Sequence, residues 1–204
     1  MTTLNLGNTG AGVLIQAGFN NVVSGKDDDR TAPNRIRFNS GAGIAVTGGS
    51  GNRLRINQFQ SNVGLGIDLG NDGVTPNDGG DSDVGPNGLQ NAPVLSGATI
   101  NNGIVTVQGN LSSTPNTTFT IDLYVSSACH ASGSGEGSQW FGAFLVTTNV
   151  DGSAAFNIGF GGNVVSAGQT VTALATAGDF VGELAGEGST SEFSNCVPAG
   201  SPIP

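Results

Sequence analysis

Apolar residues recur along this chain in two rhythms. Up to about residue 70 they come in short alternating runs bounded by asparagine or glycine: NNVVSG at 20–25, NRIRFN at 34–39 and NRLRIN at 52–57. GAGV at 10–13 returns as GAGI at 41–44 and as GLGI at 64–67. Runs of three to five residues are too short for hairpins with a shared core. They suit rungs of a parallel β-helix of about three coils, in which equivalent residues stack about 4.8 Å apart. The spacing from NRIRFN to NRLRIN predicts Ile36 on Leu54 and Phe38 on Ile56, all pointing inward. It also predicts asparagine ladders, Asn34 over Asn52 and Asn39 over Asn57. Gly41, Gly43, Gly64 and Gly66 are expected at corners with positive φ. The first coil presents an open edge through which copies of the chain can self-associate.

From residue 94 the runs lengthen: VLSGATI, IVTVQGNL, TTFTIDLYV, QWFGAFLVTTN, SAAFNIGF, QTVTALATA and TSEFSNCV, separated by turn signals such as INNG, TPN and NVDG. Seven alternating strands in about 110 residues predict an antiparallel β-sandwich of immunoglobulin-like type. The chain therefore reads as all-β in two parts. Residues 1–90 hold the parallel coils and an Asp/Gly-rich closing loop at 71–88. Residues 91–204 hold the sandwich and a Pro-rich tail, PAGSPIP, expected to leave the strand behind.

Composition sharpens this picture. Glycine supplies 35 of 204 residues and only 10% are charged, as suits turn-rich β structure. No apolar run approaches the length of a membrane span. The opening MTTLNLGNTGAG lacks the basic and apolar regions of a signal peptide and starts in mid-repeat; the expectation is a fragment, or a chain whose export segment has been removed. All six basic residues, Lys26, Arg30, Arg35, Arg37, Arg53 and Arg55, lie before residue 56, beside only three acids, Asp27, Asp28 and Asp29. The other twelve acids follow without a single base. Such a region repels nucleic acid and anionic membranes. Cys129 and Cys196 match no zinc spacing; they read as a disulfide in an oxidising compartment, or alternatively as two unpaired buried thiols.

Candidate chemistry is concentrated in NDGVTPNDGGDSDVGPNG, residues 71–88. Asp81 and Asp83 are one residue apart, with Asp72, Asn77 and Asp78 near enough to complete an oxygen shell for Ca2+, which takes six to eight ligands. No EF-hand glutamate closes the loop; the competing reading is a solvated linker of Asx-turns. Arg35, Arg37, Arg53 and Arg55 alternate with inward apolar residues, which predicts an outward patch of four guanidiniums. That array suits carboxylate, sulfate or phosphate, and an anionic polysaccharide or matrix is its natural partner; the alternative is a ladder compensated by Asp27–Asp29. His130 would need Ser126, Ser127 or Ser132 as nucleophile, yet no G-x-S-x-G elbow is present. Trp140 reads as core. Asp68 is expected to point outward from its strand, without a second carboxylate for glycosidase chemistry unless Asp72 supplies it. No catalytic residue is assigned.

The run NRLRINQFQSNVGLGIDLGNDGVTPNDGGDSDVGPNGLQNAPVL resembles the closing segment of right-handed parallel β-helix regions in large bacterial secreted and surface proteins. PNTTFTIDLYVSSACHASGSGEGSQWFG, with the later TSEFSNCV, resembles the immunoglobulin-like module that follows it there. The resemblance implies an extracellular or cell-surface bacterial location and a right-handed coil; it supplies no reaction. Two functions follow as expectations. The first is a structural or binding module for adhesion, matrix or carbohydrate contact, stabilised by calcium. The second is a small secreted calcium-dependent hydrolase or lyase acting on an ester, lactone or polysaccharide.

Overall fold

The computed structural model describes residues 6–25, 32–178 and 188–200. Lys26, Asp27, Asp28, Asp29, Arg30 and the last residues of the Pro-rich tail lie outside the described residues. Among the described residues regular structure is all β apart from one 3-10 turn, Pro86–Leu89. Among the described residues no helix is long and apolar enough to cross a membrane.

The first part contains β1 (Val13–Ile15), β2 (Asn34–Arg37), β3 (Ile44–Val46), β4 (Asn57–Gln60) and β5 (Ile67–Leu69). β1, β3 and β5 form one parallel sheet, and β2 and β4 form a parallel pair. Val13 lies beside Ile44 and Ile44 beside Ile67, so GAGV, GAGI and GLGI come into register. On a third side Val22 bridges Arg53, and the Val23 N–H donates to the Arg53 carbonyl at 2.9 Å. The chain thus winds in circuits, returning to the same side after 31 residues and then after 23.

That circuit length corrects the predicted stacking. Asn34 pairs with Asn57, Arg35 with Gln58, Ile36 with Phe59 and Arg37 with Gln60. NRLRIN lies on a different side, against residues 21–25. A shift of eighteen residues falls short of a circuit and lands on the neighbouring side. The hexapeptides look alike because both sides need inward apolar residues between corner asparagines. Ile36, Ile44, Val46, Leu54, Ile56, Phe59, Ile67 and Leu69 fill the space inside.

Asparagine ladders form, with other members than expected. The Asn8 N–H donates to Asn39 Oδ1 at 3.0 Å, and Asn39 donates its N–H and Nδ2 to Asn62 Oδ1 at 3.2 and 2.9 Å. Asn21 does the same to Asn52 at 3.1 and 2.9 Å, and the Asn52 N–H continues to Asn87 Oδ1 at 2.8 Å. Asn34 Nδ2 donates to Asn57 Oδ1 at 2.9 Å. Left-handed backbone sits just before the ladder residues, at Phe38 (φ 63°), Ser61 (56°), Asn20 (57°), Gly51 (72°) and Ile56 (54°). Gly41, Gly43, Gly64 and Gly66 are absent from the positive-φ set. They serve close approach instead: a Cβ on Gly43 would sit 2.5 Å from the Phe59 ring and 2.6 Å from the Gly66 carbonyl.

The second part contains β6 (Val94–Asn101), β7 (Ile104–Ser112), β8 (Thr118–Ser126), β9 (Gln139–Thr147), β10 (Ser153–Phe160), β11 (Thr170–Ala177) and β12 (Val197–Gly200). Their order is β10-β7-β6-β12-β11-β8-β9. All pairs are antiparallel except β12 with β6. The sheet folds on itself in a sandwich-like way. Leu95, Val105, Val107 and Leu111 meet Phe119, Ile121, Leu123, Phe141 and Val171 in one core. The end strands approach through Phe144 and Phe156, ring centroids 5.2 Å apart.

Six of the seven expected strands are present. The seventh is displaced. In TSEFSN the Ser191 and Ser194 hydroxyls accept the Ala175 and Ala173 N–H groups at 3.0 and 2.9 Å, substituting for backbone carbonyls and interrupting the ladder. The strand begins at Val197 and runs through Pro198, contrary to the expectation for PAGSPIP. Val197 and Pro198 pair with β11, and Ala199 and Gly200 with β6, so neither side requires a long ladder.

The two parts meet through a buried polar junction. β8 is buried on both faces; Asp122 and Tyr124 face the circuits. Arg55 donates to Asp122 through Nε at 2.6 Å and Nη2 at 2.9 Å, and Trp140 Nε1 donates to the same carboxylate at 2.8 Å. Backbone N–H groups along the last circuit find acceptors one by one. Gly51 donates to Ser189 Oγ (3.1 Å), Asn52 to Asn87 Oδ1 (2.8 Å) and Leu54 to Thr190 Oγ1 (2.9 Å). Ile56 donates to Tyr124 Oη (2.9 Å), Phe59 to the Gly137 carbonyl (3.0 Å), Asn62 to Glu136 Oε1 (2.9 Å) and Leu69 to Glu192 Oε1 (2.8 Å).

Removing one member of a buried ion pair leaves the other charge stranded, at a cost of about 3–5 kcal/mol. Asp122→Ala is therefore expected to lose about that much in urea unfolding. Arg35→Ala, at an exposed site, should change stability by less than about 0.5 kcal/mol. Equal effects of the two would refute the junction as the dominant contact.

Candidate functional site

The 71–88 loop runs from the end of β5 to the 3-10 turn and is held down by its own carboxylates. Asp78 accepts the Ser82 N–H at 3.1 Å and the Ser82 hydroxyl at 2.8 Å. Asp81 accepts the Asn91 N–H on Oδ1 at 2.8 Å and the Ser113 hydroxyl on Oδ2 at 2.7 Å. Asp83 Oδ1 is buried and has no hydrogen-bond partner. One oxygen from each of Asp78, Asp81 and Asp83 can be chosen so that all lie within 4.8 Å of one another. The three carboxylates can hold a metal ion, and an all-oxygen donor set suits a hard cation.

Two expected ligands are placed elsewhere. Asn77 behaves like a strand residue: Nδ2 donates to the Ala92 carbonyl at 2.8 Å and Oδ1 accepts the Ala92 N–H at 2.9 Å. Asp72 contributes its N–H to Asp68 Oδ1 at 3.0 Å and is not among the grouped carboxylates. Asn91, which the sequence did not single out, is the hub. Its Oδ1 accepts the Asp78 N–H at 3.0 Å, and its Nδ2 reaches the carbonyls of Asp78 and Ser112 at 2.9 and 2.8 Å.

The electrostatics follow from this packing. Burial pushes the Asp81 carboxyl above its ordinary range, with Asp78 and Asp83 adding to the effect. Burial and then Asp78 push Asp83 up as well. The Ser82 hydroxyl bond holds Asp78 below the usual range. A cation would relieve the repulsion that raises Asp81 and Asp83. Beside the cluster lies a cleft of about 590 Å³ lined by Asp72, Thr75, Asn77, Asp78, Asp83 and Val84 among others.

A second acidic pair joins Asp68 to Glu192, which the sequence did not single out. Glu192 is 4% exposed; Oε1 accepts from Leu69 N–H (2.8 Å) and the Thr75 hydroxyl (3.0 Å), and Oε2 accepts from Thr75 N–H (2.9 Å). Burial pushes its carboxyl up to about 7, opposed by those bonds and aided by Asp68. Asp68, expected to point into solvent, is 6% exposed and accepts the Asp72 and Gly73 N–H groups. Burial raises its carboxyl too. Both side chains anchor the same turn. The acid in TSEFSN had no sequence signal apart from being the only charge in that stretch.

The other candidates separate. Arg35 is exposed and Arg37 half-buried on β2, whereas Arg53 and Arg55 are 2% and 1% exposed. The four-guanidinium patch is therefore not formed; the side carrying Arg53 and Arg55 faces the second part rather than solvent. Cys129 and Cys196 form a disulfide. It pins the 127–138 loop, where the Cys196 N–H also donates to the Gly133 carbonyl at 3.0 Å. His130 Nδ1 accepts the Ser132 N–H at 3.2 Å, and Nε2 lies 3.3 Å from the Val63 carbonyl. Among the described residues no carboxylate orients this ring. Trp140 is buried, as expected for core.

Glu192 generates a pH dependence. Its folded value, about 7, lies above the ordinary 4.5, so the folded state binds the extra proton in between. Its contribution to stability is full below about pH 4.5 and is lost as pH rises through 7, with a slope approaching 1.4 kcal/mol per pH unit at most, on the order given by linkage. Unfolding free energies of Glu192→Gln measured from pH 5 to 7.5 should lack this fall. An unchanged slope would show that Glu192 does not titrate in that window.

No protein-family model matches this chain, and no curated protein matches it.

Proposed function

We propose that the chain is an extracellular structural module. In this reading a short right-handed parallel β-helix of about three coils is closed by an immunoglobulin-like β-sandwich, and calcium stiffens the connecting loop. The reading is carried by seven N–H groups between Gly51 and Leu69, those of Gly51, Asn52, Leu54, Ile56, Phe59, Asn62 and Leu69, accepted by side chains or a carbonyl of the segments that follow the coils. Acceptors placed one per donor are what a terminal parallel coil requires when no further coil follows. The opposite end supports the same reading by contrast. Among the described residues β1 and β2 each pair with a strand on one side only, and Phe19 and Leu14 are exposed, which suits pairing with another chain or a second copy. The disulfide supports an oxidising compartment, hence the cell surface or its surroundings. Calcium is favoured over magnesium because the carboxylates come from an irregular loop, and calcium tolerates irregular, many-oxygen geometry.

A ligand that binds only the native state must raise the melting temperature. Melting in EDTA and then in millimolar CaCl2 is expected to show a rise for the wild type. Asp83→Asn, which disturbs no protein hydrogen bond of Oδ1, should reduce that rise, and Asp81→Ala with Asp83→Ala should abolish it. An identical melting temperature with and without calcium would overturn the calcium assignment.

A further inference from the structure

The outer face of the β2–β4 pair carries a small polar array. Ile36 and Phe59 point inward, so their neighbours Arg35, Arg37, Gln58 and Gln60 stand on the other face. Arg35 lies directly beside Gln58, and Arg37 beside Gln60. Strand spacing puts cross-strand neighbours about 4.8 Å apart and residues two along the strand about 6.6 Å apart. All four side chains reach solvent. Among the described residues neither guanidinium meets a carboxylate, and neither glutamine amide is committed to a hydrogen bond. A shallow cleft of about 210 Å³, lined by both arginines, Asn8 and Gly12 but by neither glutamine, adjoins the β2 side of this face.

We infer that this face binds an anionic polysaccharide of the uronate class, through the Arg35 and Arg37 guanidiniums and the Gln58 and Gln60 amides. The inference stands apart from the calcium-stiffened cap, since it uses none of those residues. A guanidinium fork matches a carboxylate, as it does a sulfate or phosphate, with two parallel hydrogen bonds, and the sulfated comparison polymer below separates the two. Amides that both donate and accept match sugar hydroxyls. Nucleic acid is disfavoured, because two cations on a chain of net charge −9 cannot neutralise a dense run of phosphates. The same net charge does not forbid local carboxylate binding. At physiological salt, charges farther than about 8 Å are largely screened, so the two nearby guanidiniums dominate.

Binding can be measured by titration calorimetry with polygalacturonate oligomers in EDTA, which silences the aspartate cluster. Neutral dextran and dextran sulfate serve as comparisons. The wild type is expected to bind polygalacturonate and not dextran. Arg35→Gln with Arg37→Gln should weaken binding at least tenfold at an unchanged melting temperature, since both side chains are solvent-facing. Arg35→Lys with Arg37→Lys, which keeps the charge and loses the fork, should weaken it several-fold. Gln58→Ala with Gln60→Ala should also weaken it several-fold. Absence of wild-type binding to polygalacturonate, or full binding by the glutamine double variant, would overturn the site. Equal affinity for dextran sulfate together with full binding by the lysine variant would overturn the uronate assignment.

Discussion

A parallel strand at the end of a stack leaves a row of N–H groups facing away from their own sheet. This structure is organised around supplying their acceptors. Seven such donors, from Gly51 to Leu69, are met in turn. An unmet buried donor costs about 1–3 kcal/mol. Seven together would rival the roughly 5–15 kcal/mol that holds a domain folded. The acceptors come from scattered stretches: the 3-10 turn, β8, the 127–138 loop and residues 189–192. The circuits therefore need most of the following chain in place before their last turn is satisfied. The disulfide joins two of these stretches, since Cys129 opens the loop that carries Glu136 and Cys196 follows the segment that carries Thr190 and Glu192.

The same demand explains why carboxylates gather where glycine makes the backbone most pliable. A flexible loop exposes N–H groups that no ladder satisfies, and a carboxylate is the strongest acceptor available to them. Asp68 takes two, Glu192 two, Asp78 one and Asp81 one. These four carboxylates are therefore already committed to holding turns. Asp83 differs, since its Oδ1 is buried and unpartnered beside the Asp78 and Asp81 carboxylates.

Much of the architecture was legible in periodicity. Glycine-flanked runs marked β1, β3 and β5 in their true register, and the longer alternating runs marked six strands of the second part. What failed has a common cause. Short strands with asparagine at each corner look alike on every side of a circuit. The resemblance of NRIRFN to NRLRIN therefore could not say whether the two were stacked or adjacent. With that ambiguity went the expected four-arginine array: Arg35 and Arg37 face outward as expected, whereas Arg53 and Arg55 are buried. Alternation correctly told inward from outward for Ile36 and Leu54, but outward meant solvent for Arg35 and a second core for Arg55. Nothing within residues 52–57 reports that Asp122, Tyr124 and Trp140 will cover that side. In the loop, spacing found Asp78, Asp81 and Asp83, but Asn77 and Asn91 were separated by roles that depend on Ala92, just before β6, and Ser112, at the end of β7.

Charge segregation gives the molecule two different outer surfaces. The described arginines sit on the circuits, and the acids after residue 56 meet no base beyond that point in the chain. One guanidinium from the circuits, Arg55, is spent inward on Asp122, and this pair ties the basic part to the acidic one. Desolvating that pair is costly on its own, and two apolar residues of similar volume would serve stability as well. A bidentate guanidinium with Trp140 on the same carboxylate adds directionality that apolar packing lacks. It admits one docking angle, and that angle aligns Tyr124, Glu136 and Thr190 with the N–H groups they accept. The pair thus sets the geometry on which the capping of the last circuit depends.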